Sequence, residues 1–142
     1  MKIYLASSWK NRYHGIFLAL LRNNKYEVYD FKEDGFSFHW SQIDEDYQNW
    51  NGQQFVSALY KDIAISGFRR DFDMLNKCDV CVMLLPCGKS AHIEAGYAVG
   101  IGKKLIIVNP YNEKIEPELM YKMAHKIVFS QNQLLDALKF TL

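Results

Sequence analysis

The sequence predicts an α/β fold in which a parallel sheet carries helices on both faces. Three observations lead there. Short apolar runs recur along the 142 residues, and segments with helical periodicity separate them. One run, Cys78–Leu85 (CDVCVMLL), is nearly continuous in apolar residues, as a strand buried on both faces must be. The length suits one domain, residues 1–142. A chain of this size buries about two-thirds of its unfolded surface, which supports a core without metal or disulfide staples.

The elements follow in order. Ile3–Ala6 is a strand closed by Ser7 and Ser8. Between Asn11 and Asn24, the residues Tyr13, Ile16, Phe17, Leu20 and Leu21 recur at helical spacing and form one apolar face. Tyr26–Phe31 alternates as a second strand. Residues 32–52 hold many aromatics and acids but no long periodic element, and a loop of that length in a compact domain is a packed lid or a functional segment. Gln53–Ile65 and Phe68–Lys77 read as two helices. The strand Cys78–Leu85 is broken by Pro86-Cys87-Gly88. A helix Ser90–Gly102, a strand Lys104–Val108, a short helix Pro117–Ala124, a strand Ile127–Phe129 and a closing helix Gln131–Phe140 complete the chain. Ligands of such sheets sit beyond the carboxyl ends of the strands. The chemistry is therefore expected in the turns Ser7–Arg12, Pro86–Glu94 and Asn109–Glu118.

Composition excludes several classes. With 49% apolar and 23% charged residues the chain is not disordered. A net charge of +1 argues against non-specific binding of polymeric nucleic acid. No apolar run approaches the ~20 residues of a membrane span, and the N-terminal apolar stretch is too short for a signal peptide. Three cysteines do not make a secreted disulfide scaffold. The expectation is a cytoplasmic protein with no membrane partner.

Residues 88–104 (GKSAHIEAGYAVGIGKK) are the most informative stretch. Ala91, Ala95, Ala98, Val99 and Gly102 form a stripe of small side chains that, with Gly96 and Gly100, lets the helix approach the sheet. Glu94 falls in its first or second turn, and its Cβ leans towards the helix N-terminus and the crevice. The bland alternatives are a capping box, which would need Ala91 as a poor cap, and a simple complement to the helix dipole. Asp71 is the second candidate. It lies about 60° from the centre of a face marked by Phe68, Phe72 and Leu75, whereas Asp73 falls on the solvated side. Its alternative is a structural role, capping a neighbouring backbone or pairing with Arg69 or an arginine elsewhere. Asp79, at the start of a buried strand, reads as structural. An ionised carboxylate with a proton-donating one is the pair that glycosidic bond cleavage uses.

With these residues in place, the chain resembles the nucleoside 2-deoxyribosyltransferase family, which includes the deoxynucleoside 5′-monophosphate N-glycosidases. Three blocks carry the likeness: residues 3–9 (IYLASSW), residues 70–75 (RDFDML) followed by Cys78-Asp79, and residues 94–98 (EAGYA) followed by Gly102-Lys103-Lys104. The resemblance implies a flavodoxin-like three-layer sandwich with a five-stranded parallel sheet. It also implies cleavage or transfer of the N-glycosidic bond of a nucleoside or nucleotide, with no metal and no cofactor. Glu94 matches the nucleophile, Asp71 the acid that assists base departure, Tyr4 the phenol that orients the nucleophile, and Trp9 an aromatic at the base pocket. Glu118 falls near a position that a neighbouring subunit contributes, so a homodimer or higher homo-oligomer is implied. The chain departs from the family pattern at Ser90, at Gly88 and in the length of loop 32–52. Two rival functions share the crevice: a non-catalytic nucleotide-binding or sensor module, and an NAD-type glycohydrolase.

Further signals bear on substrate. Residues 1–25 hold five basic side chains and no acid. Lys10 and Arg12, with Ser7, Ser8 and nearby backbone N–H groups, read as a phosphate site or as a solvated basic face. Ser90, with Gly88 and Lys89, offers a second such site. Phe36, Phe38, Trp40, Tyr47 and Trp50 either contact a base, a role assigned first to Trp40, or form the apolar underside of the loop. Asp44-Glu45-Asp46 reads as a solvated tip. Cys78 and Cys81 read as core, Cys87 as near the site, and His92 as non-catalytic. His14, His39 and His125 lack metal-ligand spacing.

Overall fold

Five strands form the sheet: β1 (Lys2–Ala6), β2 (Glu27–Tyr29), β3 (Val80–Leu84), β4 (Lys104–Val108) and β5 (Lys126–Val128). All pair in parallel, in the order β2-β1-β3-β4-β5. This flavodoxin-like order reverses between β1 and β3, which makes the carboxyl ends of those two strands the topological switch point. The computed structural model describes residues 1–33 and 37–141 and divides into two compact units, Met1–Asp30 with Leu75–Leu142, and Phe31–Met74.

The first unit holds the sheet. On one face α1 (His14–Asn23) and α5 (Gln131–Lys139) enclose a core of Ile3, Leu5, Val80, Val82, Leu84, Ile106 and Val108 with Phe17, Leu21, Leu134 and Leu138. On the other, α4 (Lys89–Gly100) packs across β1, β3 and β4 through Ala91, Ala95 and Ala98, all buried. Every residue of β3 is buried, as its continuous apolar run requires. The three alanines bring α4 down onto the sheet. Gly96 and Gly100 do not share that work, contrary to expectation, because among the described residues a Cβ on either would meet nothing within 4 Å.

In the second unit, two 3₁₀ turns, Trp40–Gln42 and Tyr47–Asn49, precede α2 (Gly52–Leu59) and α3 (Asp62–Lys77), whose last turn passes into the first unit. Asn51 and Gln54 close a reciprocal capping box on α2. The expected break at Ser66–Gly67 is absent, and the helices part instead at Tyr60–Lys61. Gly67 is a close-packing position inside α3, where an added Cβ would stand 3.1 Å from Cβ of Phe38. The expected helix Pro117–Ala124 is a 3₁₀ turn over Leu119–Met123. Its Leu119 is 84% exposed, so the segment gains no burial to stabilise a full helix.

Candidate active site

Tyr4 lies in the middle of β1 and is 1% exposed. Its ring stacks on Tyr29 of β2 at 5.3 Å between centroids. Tyr4 pairs in register with Cys81 of β3, so both side chains leave the sheet on the α4 face. Glu94 comes to meet them from the second turn of α4, and the Tyr4 hydroxyl donates a hydrogen bond to its Oε2. Strand, ring stack and helix thus fix a carboxylate at the switch point. Two thiols nearby are raised: that of Cys81 by burial first, then by Cys78 and Glu94, and that of Cys87 by burial first, then by Glu94, to about 12. Cys87, expected near the site, is thus held in its protonated form, which disfavours reaction as a nucleophile.

The start of α4 corrects the capping alternatives. Gly88 is the N-cap, and among the described residues no side chain caps the helix. Glu94 is therefore the sixth helical residue, too far along for a capping box. The uncapped N–H groups beside exposed Gly88 and Ser90 form a positive helix end at the same sheet edge as Ser7 and Ser8. Ser7 is 8% exposed, and its Oγ has no hydrogen-bond partner among the described residues. Ser8 Oγ accepts from the backbone N–H of Lys10 at 3.3 Å. Trp9 is half exposed on the same loop.

Of the two basic side chains, Arg12 departs from the phosphate reading. Lys10 and Arg12 precede α1 instead of opening it. Arg12 is committed elsewhere: its guanidinium bonds Glu113 at 2.8 Å and the Tyr13 hydroxyl at 2.6 Å. Hydrogen bonding by Tyr13 first, and then the Arg12 charge, holds Glu113 below the usual carboxylate range.

Asp71 belongs to the second unit. Phe68 is 63% exposed, so the face expected to be buried on α3 is displaced. The buried stripe runs through Ala64, Gly67 and Leu75, and half-buried Asp71 lies near its middle, within about 20° of Ala64 in projection. Asp73 is exposed, as expected. Asp79 is structural: its Oδ2 accepts from the backbone N–H of Lys2 at 2.7 Å. Trp40 packs edge-on against Phe38, Trp50 and Phe55, which favours the apolar-underside reading of the loop. Phe36 lies outside the described residues. Asp44 accepts from Nε1 of Trp50 at 2.8 Å and so ties down the loop tip.

A cavity of about 550 Å³ opens on the other side of α4, floored by Met83, Leu105 and Ile107 and walled by Cys87, His92 and Tyr121; Tyr4 and Glu94 do not line it. The Nδ1 of His92 faces the Gly88 carbonyl at 2.7 Å, so it carries the proton, and Nε2 accepts from the Tyr121 hydroxyl at 2.8 Å. Glu118 borders this cavity and caps a 3₁₀ turn by accepting from the N–H of Met120. Among the described residues, no cluster of His, Cys, Asp and Glu is arranged to hold a metal ion. No helix among them is long and apolar enough to cross a membrane. Sequence reasoning missed Asn11, Tyr29, Tyr13 with Glu113, and the buried pair His14–Asp30, joined at 2.8 Å. Only Asn11 left a signal, an amide residue just ahead of a helix.

No family model matches the chain, and no curated protein matches it by sequence. Solved structures do match. The CMP N-glycosidase BcmB of Clostridium botulinum superposes with a TM-score of 0.54 at 20% identity, over 99% of this chain and 100% of that one. A 2-deoxyribosyltransferase from the psychrotolerant bacterium Bacillus psychrosaccharolyticus gives a TM-score of 0.66 at 18% identity, over 94% of this chain and 90% of that one. Strand order, the helix placed over the switch point and these superpositions agree, and the chain has the fold shared by this N-glycosidase and this deoxyribosyltransferase.

Proposed function

We propose that the protein cleaves or transfers the N-glycosidic bond of a nucleoside or nucleotide, with Glu94 as the nucleophile. The observation that carries this reading is the hydrogen bond from the buried Tyr4 hydroxyl to the Glu94 carboxylate at the switch point. A nucleotide-binding module has no need of a carboxylate so held. A nucleophile does, because fixing one oxygen sets the direction from which the carboxylate approaches carbon.

In the first step an oxygen of Glu94 bonds to C1′ as the bond from C1′ to the base nitrogen breaks. The electron pair leaves with the base, which takes a proton from Asp71. Water then displaces Glu94 from C1′ and returns a proton to Asp71, giving hydrolysis; a second base in place of water gives transfer. Support for Asp71 is its place on the buried stripe of α3 together with the sequence resemblance. Ser7, Ser8, Gly88 and Ser90 would take a 5′-phosphate or sugar hydroxyls, which the uncapped start of α4 and the buried Ser7 hydroxyl suit. Trp9 would flank the base. The same reading takes the protein to act in the cytoplasm, as a homodimer or higher homo-oligomer in which a second copy contributes Glu118.

The experiment is chromatography for free base after incubation with CMP, other nucleoside 5′-monophosphates, nucleosides and NAD. CMP stands first because the fold neighbour from Clostridium botulinum is a CMP N-glycosidase. Glu94→Ala is expected to abolish release and keep binding, and Asp71→Asn to slow release. Equal release by wild type and Glu94→Ala removes the proposed chemistry. Binding without release by wild type favours the sensor module, and release from NAD alone favours the glycohydrolase.

A further inference from the structure

Two walls of the switch-point crevice come from different crossovers. One is the loop after β1, residues 7–13, which carries Ser7, Ser8 and Trp9. The other is the turn after β3, residues 85–88, which leads into α4 and Glu94. The β1–β3 ladder ends at Ala6 and Met83, so strand pairing does not reach either wall.

Asn11 spans the gap. It is 5% exposed, and both polar atoms of its side-chain amide are engaged. Nδ2 donates to the carbonyl of Leu84 at 3.1 Å and to the carbonyl of Pro86 at 3.1 Å. Oδ1 accepts from the N–H of Tyr13 at 2.8 Å. Two carbonyls on one side and an N–H on the other leave no freedom in which atom is oxygen and which is nitrogen. The backbone of Asn11 is also held, since its N–H donates to Ser8 and its carbonyl accepts from His14. Two donors and one acceptor on a single short planar group are what this position demands. Asp offers no donor, Ser only one, and Leu neither donor nor acceptor.

We propose that Asn11 is a positioning residue for the reaction at Glu94, locking the start of α4 to the loop after β1. The assignment rests on the proposed glycosidic chemistry for its kinetic consequence, but the lock itself has a separate readout. Without the amide, the carbonyls of Leu84 and Pro86 lose a buried donor and the turn at 85–88 is free to shift against the loop. Glu94 then departs from the geometry that Tyr4 enforces. A displacement near 1 Å in such a group lowers turnover by about a hundredfold.

The test compares wild type, Asn11→Leu and Asn11→Ser with Leu134→Ala, a destabilised control whose altered side chain sits in α5 on the opposite face of the sheet. kcat and KM are measured for base release, and hydrogen exchange is followed by mass spectrometry over residues 85–96. Asn11→Leu is expected to lower kcat by about ten- to a hundredfold, with KM within about threefold, and to speed exchange over 85–96 beyond the control. Asn11→Ser keeps one donor and an acceptor, and it decides the matter if Asn11→Leu does not fold. It should move both readouts the same way with smaller amplitude. Activity and exchange no different from those of Leu134→Ala overturn the assignment. If wild type releases base from no substrate, the glycosidic reading fails by itself, and exchange alone then judges Asn11. Faster exchange over 85–96 upholds the lock, and unchanged exchange rejects it.

Discussion

Replacing Tyr4 with Phe isolates the contact on which the proposed chemistry depends. The ring is 1% exposed and stacked on Tyr29 at 5.3 Å, so Phe keeps volume, stack and strand register and removes one oxygen. What is lost is a hydrogen bond to a carboxylate. Hydrogen bonds to a carboxylate contribute about 1.5–3 kcal/mol, and this one is part-buried. If the bond serves the attacking carboxylate, that energy appears in the barrier, and kcat/KM should fall by about ten- to a hundredfold. Stability should fall by no more than about the same 1.5–3 kcal/mol, since no cavity adds to it. The assay is initial-rate base release with the best substrate of the panel, paired with thermal unfolding of both proteins. Tyr4→Phe with kcat/KM within twofold of wild type, alongside an inactive Glu94→Ala, would refute the orienting role. A large loss of Tm would show instead that the hydroxyl holds the fold.

Three further outcomes follow from local geometry. With its thiol at about 12, Cys87 ionises in only about one molecule in ten thousand at pH 8, so iodoacetamide should label it slowly, the rate rising about tenfold per pH unit up to pH 11; fast labelling at pH 7.5 contradicts this. Gly96→Ala has open space around the new methyl and should raise stability by about 0.5–1 kcal/mol, read as a Tm increase of a few degrees. Gly67→Ala meets Phe38 at 3.1 Å and should lower stability by about 1 kcal/mol despite the better helix propensity, and a Tm above wild type would show that Phe38 yields.

The sequence by itself determined the order of elements and the placement of its most telling carboxylate. Short continuous apolar runs between turn signals suit strands buried on both faces, and alternation with helices suits a parallel sheet, so β3, β4 and the crevice were legible from pattern and composition. Glu94 could be named because a helix start sits at a known place in such a fold, and Tyr4 only through the family resemblance. Their hydrogen bond was implied only through the family resemblance. Local pattern misled where packing decides. Phe68 looked buried and is exposed, while Gly67 looked like a break and sits under Phe38 inside α3. Arg12 read as a phosphate ligand or a solvated cation, and it is paired with Glu113. Tertiary structure alone decided these, together with the three hydrogen bonds of Asn11 and the seat of His92 between Gly88 and Tyr121. Most depend on at least one partner distant in the chain: Glu113 for Arg12, Leu84 and Pro86 for Asn11, Tyr121 for His92 and Phe38 for Gly67. Periodicity reports which face a side chain occupies, but the group it meets there is set by how distant segments come together.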